Sequence, residues 1–133
     1  MKRRIVLLVV AMMAVLAVAG GVALAATIDG TRGDDRIRGT NARDEINARG
    51  GSDVIKARRG ADVIDAGAGA DRIYTGPRGE SARDIVQAGD GDDVIRAFNR
   101  PAARDVIDCG PGVDRVTADA RDVLKDCNRV SRR

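Results

Sequence analysis

Histidine and tryptophan are absent from the 133-residue sequence, and its aromatic side chains are one tyrosine and one phenylalanine. Without histidine, the chain lacks the commonest general base and the imidazole ligand of most zinc sites. This excludes histidine-based catalytic triads and disfavours a hydrolase. With so few aromatics, the hydrophobic core has to be made of small aliphatic side chains. No stacking platform for nucleic-acid bases is expected either.

The chain also has no net positive charge beyond its first four residues. The formal net charge of +3 is accounted for by Lys2, Arg3 and Arg4, and the sequence from residue 26 onward has as many Lys and Arg as Asp and Glu. This neutral balance predicts no basic face and no nucleic-acid partner.

The N-terminus has the pattern of a secretory signal peptide. A cationic start, MKRR, precedes an apolar run over 5–19 that two glycines end, and residues 23–25 (ALA) form a cleavage-site pattern. The pattern predicts a signal peptide over 1–25, a secreted, extracellular chain over 26–133, and no membrane association after cleavage. An uncleaved membrane anchor is the open alternative, because the uncharged stretch is long enough to span a bilayer.

Repetition is the strongest pattern in the rest of the chain. An aspartate stands two residues before an apolar residue every nine residues, beginning with Asp35 and Ile37. Two insertions, of four residues within 74–83 and three within 97–104, interrupt the series. A nine-residue unit with one inward apolar residue fits a three-residue strand followed by a six-residue turn. The repeat aspartates are Asp35, Asp44, Asp53, Asp62, Asp71, Asp84, Asp93, Asp105 and Asp114, and the series fades at Asp122.

The repeat unit resembles the RTX, or hemolysin-type, calcium-binding nonapeptide, whose pattern is G-G-x-G-x-D-x-apolar-x. Residues 66–74 (AGAGADRIY), 88–96 (AGDGDDVIR) and 109–117 (CGPGVDRVT) match it closely, with Ala or Cys at the first glycine. The resemblance covers roughly residues 28–124. It implies an all-β fold, a parallel β-roll or β-solenoid with two nonapeptides per coil. It also implies calcium in the turns, held by aspartate and backbone carbonyl oxygens, which are hard ligands of the kind calcium prefers.

Numbered along the chain, the turns fall into two alternating classes, which a roll would place on opposite edges. Most even turns read Ala-Arg-Asp, and both insertions lie among them, so the true period is eighteen residues. The odd turns keep a glycine two residues before the aspartate; they are 30–35, 48–53, 66–71, 88–93 and 109–114. The even-turn arginines are predicted to pair with the aspartates across coils; they are Arg43, Arg83, Arg104 and Arg121.

Calcium is predicted along the odd edge, because glycine permits positive φ and close approach of the backbone to an ion. Asp53 and Asp35 are second choices, since Arg49 and Thr31 replace a glycine in their turns. A metal-free alternative stays open, because a turn aspartate can accept hydrogen bonds from backbone amides. The preferred residues are Asp71 with Gly67 and Gly69, Asp93 with Gly89 and Gly91, and Asp114 with Gly110 and Gly112.

Cys109 and Cys127 are eighteen residues apart, one full coil. Stacked coils place equivalent positions roughly 4.8 Å apart, within the Cα range of a disulfide. An extracellular pair with this spacing predicts a disulfide. It would clamp the last coil, with 118–130 as a C-terminal cap.

The predicted function is a secreted calcium-binding repeat protein, a structural, surface or matrix module without catalytic activity. Its expected partners are calcium ions and cell-surface or matrix components. The alternative is a calcium-independent β-solenoid that acts as an adhesion or protein-binding surface. An outward apolar stripe of Val63, Ile85, Val106 and Val123 favours this alternative.

Overall fold

The computed structural model describes residues 24–78, 81–99 and 102–133. The predicted signal peptide, 1–25, lies outside the described residues except for its last two positions. No helix in the described part of the chain is long and apolar enough to cross a membrane. Within these ranges the chain forms twelve short strands: β1 Thr27–Asp29, β2 Arg36–Arg38, β3 Glu45–Asn47, β4 Val54–Lys56, β5 Val63–Asp65, β6 Arg72–Tyr74, β7 Ile85–Gln87, β8 Val94–Ala97, β9 Val106–Asp108, β10 Arg115–Ala118, β11 Val123–Lys125 and β12 Arg129–Arg132.

Successive strands alternate between two parallel six-stranded sheets. Sheet one has the order β1-β3-β5-β7-β9-β11, and sheet two has the order β2-β4-β6-β8-β10-β12. Each coil therefore contributes one strand to each sheet, joined by one odd and one even turn. The predicted parallel β-roll with two repeats per coil is confirmed.

The register follows the repeat. In sheet one Ile46 aligns with Ile64, and Ile64 aligns with Val86 although the four-residue insertion lies between them. Both insertions are thus accommodated in the even turns without shifting any strand. A slip of one residue would turn each apolar side chain to solvent, so burial fixes this register.

The core is a narrow double column of aliphatic side chains between the sheets. The central residue of nearly every strand is buried, as Ile55 and Ile64 illustrate at 0% and 1% exposure. A second row of small residues, mostly alanine, fills the corners where strands meet turns. Because the sheets come close together, larger aromatic side chains have no place in this interior.

The two outer faces carry opposite charge, which corrects the prediction of no basic face. Sheet one has four acidic residues and one lysine, namely Asp29, Glu45, Asp65, Asp108 and Lys125. The outer face of sheet two has seven cationic residues and no acidic one along its strands: Arg36, Arg38, Lys56, Arg72, Arg96, Arg115 and Arg129. The neutral total hides this separation, because alternate repeats project onto different sheets.

The apolar stripe predicted on sheet one lines up in the structure. Val63, Ile85, Val106 and Val123 are in register on adjacent strands. Ile85 and Val123 are 41% and 40% exposed, while the other two are half-buried.

The predicted disulfide joins Cys109 to Cys127, with Cα atoms 5.2 Å apart. Residues 118–130, expected to form a cap, contain β11 and the beginning of β12. Both strands extend the sheets, so this segment is a further coil, and the disulfide ties it to the coil before.

Neighbouring positions on one strand should differ sharply in their effect on stability. Replacing buried Ile64 by Ala is expected to lower the free energy of unfolding by about 2–5 kcal/mol, because it opens a cavity in the aliphatic column. Val63→Ala on the outer face of β5 is expected to cost less than about 1 kcal/mol. Urea unfolding of the two variants measures the difference. Equal losses would contradict this placement of the core.

Candidate metal centre

The repeat aspartates are buried and hold successive coils together. Oδ1 of Asp71 accepts a hydrogen bond from the backbone amide of Asp53 in the preceding coil, at 2.7 Å. Each such bond satisfies an amide at a point where a turn gives way to a strand. The same contact is made on the odd edge by Asp53, Asp93 and Asp114, and on the even edge by Asp44, Asp62, Asp84, Asp105 and Asp122.

In four successive turns of the odd edge, the second carboxylate oxygen of the repeat aspartate is buried as well. Oδ2 of Asp53, Asp71, Asp93 and Asp114 is buried and has no hydrogen-bond partner among the described residues. Burial of an oxygen without a partner is costly, and native proteins rarely tolerate it. A row of such oxygens along one edge is the arrangement expected where a cation is their partner.

The turns of this row share one backbone shape. Gly69 has φ of 135°, and a Cβ there would collide with the carbonyl oxygen of Gly51 in the preceding coil. The same turns therefore stack main chain on main chain, with no space for side chains between them. Arg49 also adopts positive φ, 74°, so the turn of Asp53 keeps this shape without the second glycine. Positive φ recurs at Gly67, Gly89, Gly91, Gly110 and Gly112.

The structure separates Asp35 from the other four candidates. Its Oδ2 accepts hydrogen bonds from the amide and the hydroxyl of Thr31, at 2.6 and 3.0 Å. In this first odd turn, Thr31 occupies the place of the turn glycine and satisfies the carboxylate. The first even turn repeats the device, because Thr40 donates to Asp44 in the same way. The row of unpartnered oxygens thus begins at Asp53.

The arginines of the even turns do not form the predicted ion pairs with the repeat aspartates. Arg43, Arg83, Arg104 and Arg121 are exposed, whereas the even-turn aspartates are buried. The ion pairs between described residues involve Arg49 and Lys125, and none involves these four arginines. Backbone amides stabilise the buried carboxylates instead, because the inward orientation places them out of reach of exposed guanidinium groups.

Two asparagines are part of the aspartate hydrogen-bond network, and the sequence analysis did not predict them. Oδ1 of Asn128 accepts the amide of Asp114 at 2.7 Å and thereby continues the odd row into the last coil. Asn99, in the second insertion, donates its side-chain amide to Oδ2 of Asp105 and its backbone amide to Oδ2 of Asp119. Asn128 was detectable, because it stands two residues before Val130, the spacing of each repeat aspartate.

Three aspartates of the odd edge have raised pKa values. The pKa of Asp93 is raised to about 7, mainly by burial. The hydrogen bond from the Asp71 amide lowers it, and the nearby carboxylates of Asp71, Asp114 and Asp92 contribute to the rise. Burial likewise raises the pKa of Asp71 to about 6 and raises that of Asp53. Without a cation, Asp71 and Asp93 therefore take up protons at a higher pH than an exposed aspartate does.

The donor set fits calcium only with main-chain ligands. Among the described residues, no group of three or more acidic, cysteine or histidine side chains converges on one point. Calcium takes six to eight oxygen ligands and accepts carbonyl oxygens readily. Asp53, Asp71, Asp93 and Asp114 would supply the charged oxygens, and the carbonyl groups of the glycine turns would supply neutral ones.

Comparison with known families agrees with this geometry. A four-copy family model described as RTX calcium-binding nonapeptide repeat matches residues 21–55, 47–77 and 78–99, more than half of the chain. The chain belongs to the RTX calcium-binding nonapeptide repeat family. Repeats of this family bind calcium and serve as structural or binding modules. None of the curated proteins and none of the solved structures matches this RTX chain.

The raised pKa values predict an unusual dependence of stability on pH. In calcium-free buffer, the folded state keeps protons on Asp71 and Asp93 that the unfolded state, with a pKa near 3.8, has released. The free energy of unfolding should therefore fall as pH rises from about 4 to about 7. Urea unfolding across this range measures the slope. Asp93→Asn should flatten it, and an unchanged slope in that variant would contradict the assignment.

Stacking of the odd turns predicts a contrast between two glycines. Gly69→Ala should destabilise the RTX roll by at least about 1–3 kcal/mol, because alanine resists positive φ and its Cβ meets the Gly51 carbonyl. Gly33→Ala should change stability by less than about 1 kcal/mol, since its nearest neighbour to a Cβ is the Thr31 hydroxyl at 3.8 Å. Thermal unfolding of both variants tests the contrast, which similar melting temperatures would refute.

Proposed function

We propose that this RTX protein is a secreted calcium-binding module in which calcium binds along the odd edge and stabilises the roll. Asp53, Asp71, Asp93 and Asp114 are the charged ligands, and Asp35 is not among them. The protein acts as a structural, surface or matrix component without catalytic activity. Calcium and components of the cell surface or matrix are its partners.

The observation that carries the proposal is the row of buried, unpartnered Oδ2 atoms on these four aspartates. A divalent cation beside them would remove the cost of burying each oxygen and offset the repulsion between neighbouring carboxylates. Burial raises the pKa values of Asp71 and Asp93, and a bound cation would offset this cost to their charged forms. Calcium is the cation favoured by an all-oxygen donor set.

Secretion is supported by the apolar N-terminal segment and by the disulfide of the last coil. A disulfide persists in oxidising compartments, where calcium is also abundant. A protein stabilised by calcium would gain stability on export, because a ligand that binds only the folded state shifts the folding equilibrium. The absence of histidine supports a non-catalytic role.

Calcium titration of isosteric variants tests the proposal. We expect binding of calcium by calorimetry at a dissociation constant of roughly 10⁻⁴ to 10⁻³ M, as in extracellular calcium modules, and a rise in melting temperature with calcium. Asp71→Asn and Asp93→Asn should each reduce the heat and the thermal shift. Asparagine keeps the Oδ1 acceptor of the coil-to-coil hydrogen bond, as Asn128 does naturally, so these variants remove charge and retain the ladder.

Asp44→Asn is the matched control. It also removes one buried carboxylate charge, but both oxygens of Asp44 have hydrogen-bond donors. This variant should bind calcium as the parent protein does. A roll that is unaffected by calcium and by chelator would overturn the proposal, as would equal loss of binding in the Asp44 and Asp93 variants.

A further inference from the structure

The outer face of sheet two arranges its cations in two columns that run along the roll axis. Neighbouring strands are roughly 4.8 Å apart, so Arg36, Arg72 and Arg115, on alternate strands, recur at roughly 10 Å. The first column is Arg36, Val54, Arg72, Val94, Arg115 and Arg129, and the second is Arg38, Lys56, Tyr74, Arg96, Thr117 and Ser131.

No ion pair between the described residues neutralises these cations. The ion pairs between described residues lie elsewhere, on sheet one and near the last coil, and involve none of the sheet-two side chains. The Tyr74 ring lies between two of the cations, with Lys56 Nζ at 6.0 Å and Arg96 Cζ at 5.6 Å from its centroid. Cation–π attraction of this kind holds the two charges in line with the column.

Two clefts extend the positive surface toward the even edge, and both include Tyr74 and Gly76. One, of about 570 Å³, is lined by Lys56, Arg58 and Arg59 among others. The other, of about 340 Å³, includes Arg78, Arg96 and Arg133. Neither has an acidic residue in its described lining. The basic face is thus continuous from the flat sheet into these clefts.

The shape of the face limits the kind of partner. Six strands of about three residues form a strip roughly 25 Å long and 10 Å wide, or about 250 Å². A stable protein–protein interface needs about 800 Å² from each partner. The strip is therefore too small for a second copy of the chain or another folded protein, and its length along the roll suits a linear polymer.

The chemistry of the face selects the polymer. Lys56 and Arg96 both lie over the Tyr74 ring, so the aromatic side chain of the strip is already in contact with cations and is a poor platform for stacking nucleic-acid bases. The strip also lacks the large apolar side chains with which a protein inserts into a bilayer. Guanidinium groups in fixed rows are suited to paired hydrogen bonds with carboxylate or sulfate. We propose that sheet two binds a linear anionic polysaccharide, bearing carboxylate or sulfate groups, that lies across the strands along the roll axis.

Binding of a fluorescently labelled heparin fragment to the full chain, followed by anisotropy in calcium-containing buffer, tests this proposal. The triple variant Arg36→Gln, Arg72→Gln, Arg115→Gln should weaken binding at least roughly tenfold and lower the slope of log Kd against log salt by about three, one for each lost contact. The triple Arg43→Gln, Arg83→Gln, Arg104→Gln removes the same charge from exposed positions off the face. It should change the dissociation constant less than about threefold.

Circular dichroism and calcium titration of each variant verify that the roll and its calcium sites are intact. If the first triple fails to fold, Lys56→Gln with Arg96→Gln, in the second column, takes its place and should also weaken heparin binding. Equal losses in the on-face and off-face triples would overturn the proposal. So would tighter binding to single-stranded oligothymidylate or anionic phospholipid vesicles than to heparin, or salt-dependent self-association. Calcium binding retained without heparin binding would refute this inference alone and leave the proposed calcium function standing.

Discussion

Every coil of this roll is linked to the next by a carboxylate that accepts a main-chain amide. The contact recurs on both edges, from the hydrogen bond between Ala26 and Asp44 at one end to that between Asp114 and Asn128 at the other. It uses one oxygen of each buried aspartate and leaves the other to be satisfied separately. Threonine and asparagine donors serve that second oxygen in Asp35, Asp44 and Asp105. The odd-edge aspartates from Asp53 to Asp114 have no such donor among the described residues.

This link also explains why a small core suffices. Aliphatic columns one residue wide bury little surface per coil, and aromatic side chains contribute nothing to the interior. No coil is stable alone, and neighbouring coils stabilise one another through shared ladders of backbone and aspartate hydrogen bonds. A cation along the odd edge would act on the same ladder, because it compensates the carboxylates that hold the coils together. Stability and calcium binding are thus properties of one set of residues.

Much of this arrangement can be predicted from the sequence, because each repeat has one buried apolar position. The spacing of Asp35 and Ile37, repeated every nine residues, gives the strands, the register and the alternation of edges. The glycines before Asp71, Asp93 and Asp114 give the shape of the odd turns. The sequence does not show which second carboxylate oxygen has a hydrogen-bond donor, because this depends on the local conformation of each turn. Thr31, next to a glycine, gave no signal that it would cap Asp35. The arginines of the even turns suggested ion pairs, yet burial of the aspartates placed them out of reach. The charged faces were not predicted, because the total charge of the chain does not show on which sheet each charged side chain lies.

The insertions have a consequence for how such a chain can change. Both lie in even turns, and Ile64 and Val86 keep their register across four added residues. The odd turns of the same coils keep their length and spacing. Length variation is therefore confined to one side of the roll, opposite the odd turns with the proposed calcium ligands. New segments, whether acquired in evolution or grafted as epitopes, can be displayed from that side while the opposite side remains a constant frame. The molecule has, in effect, one edge that is free to diverge and one that is not.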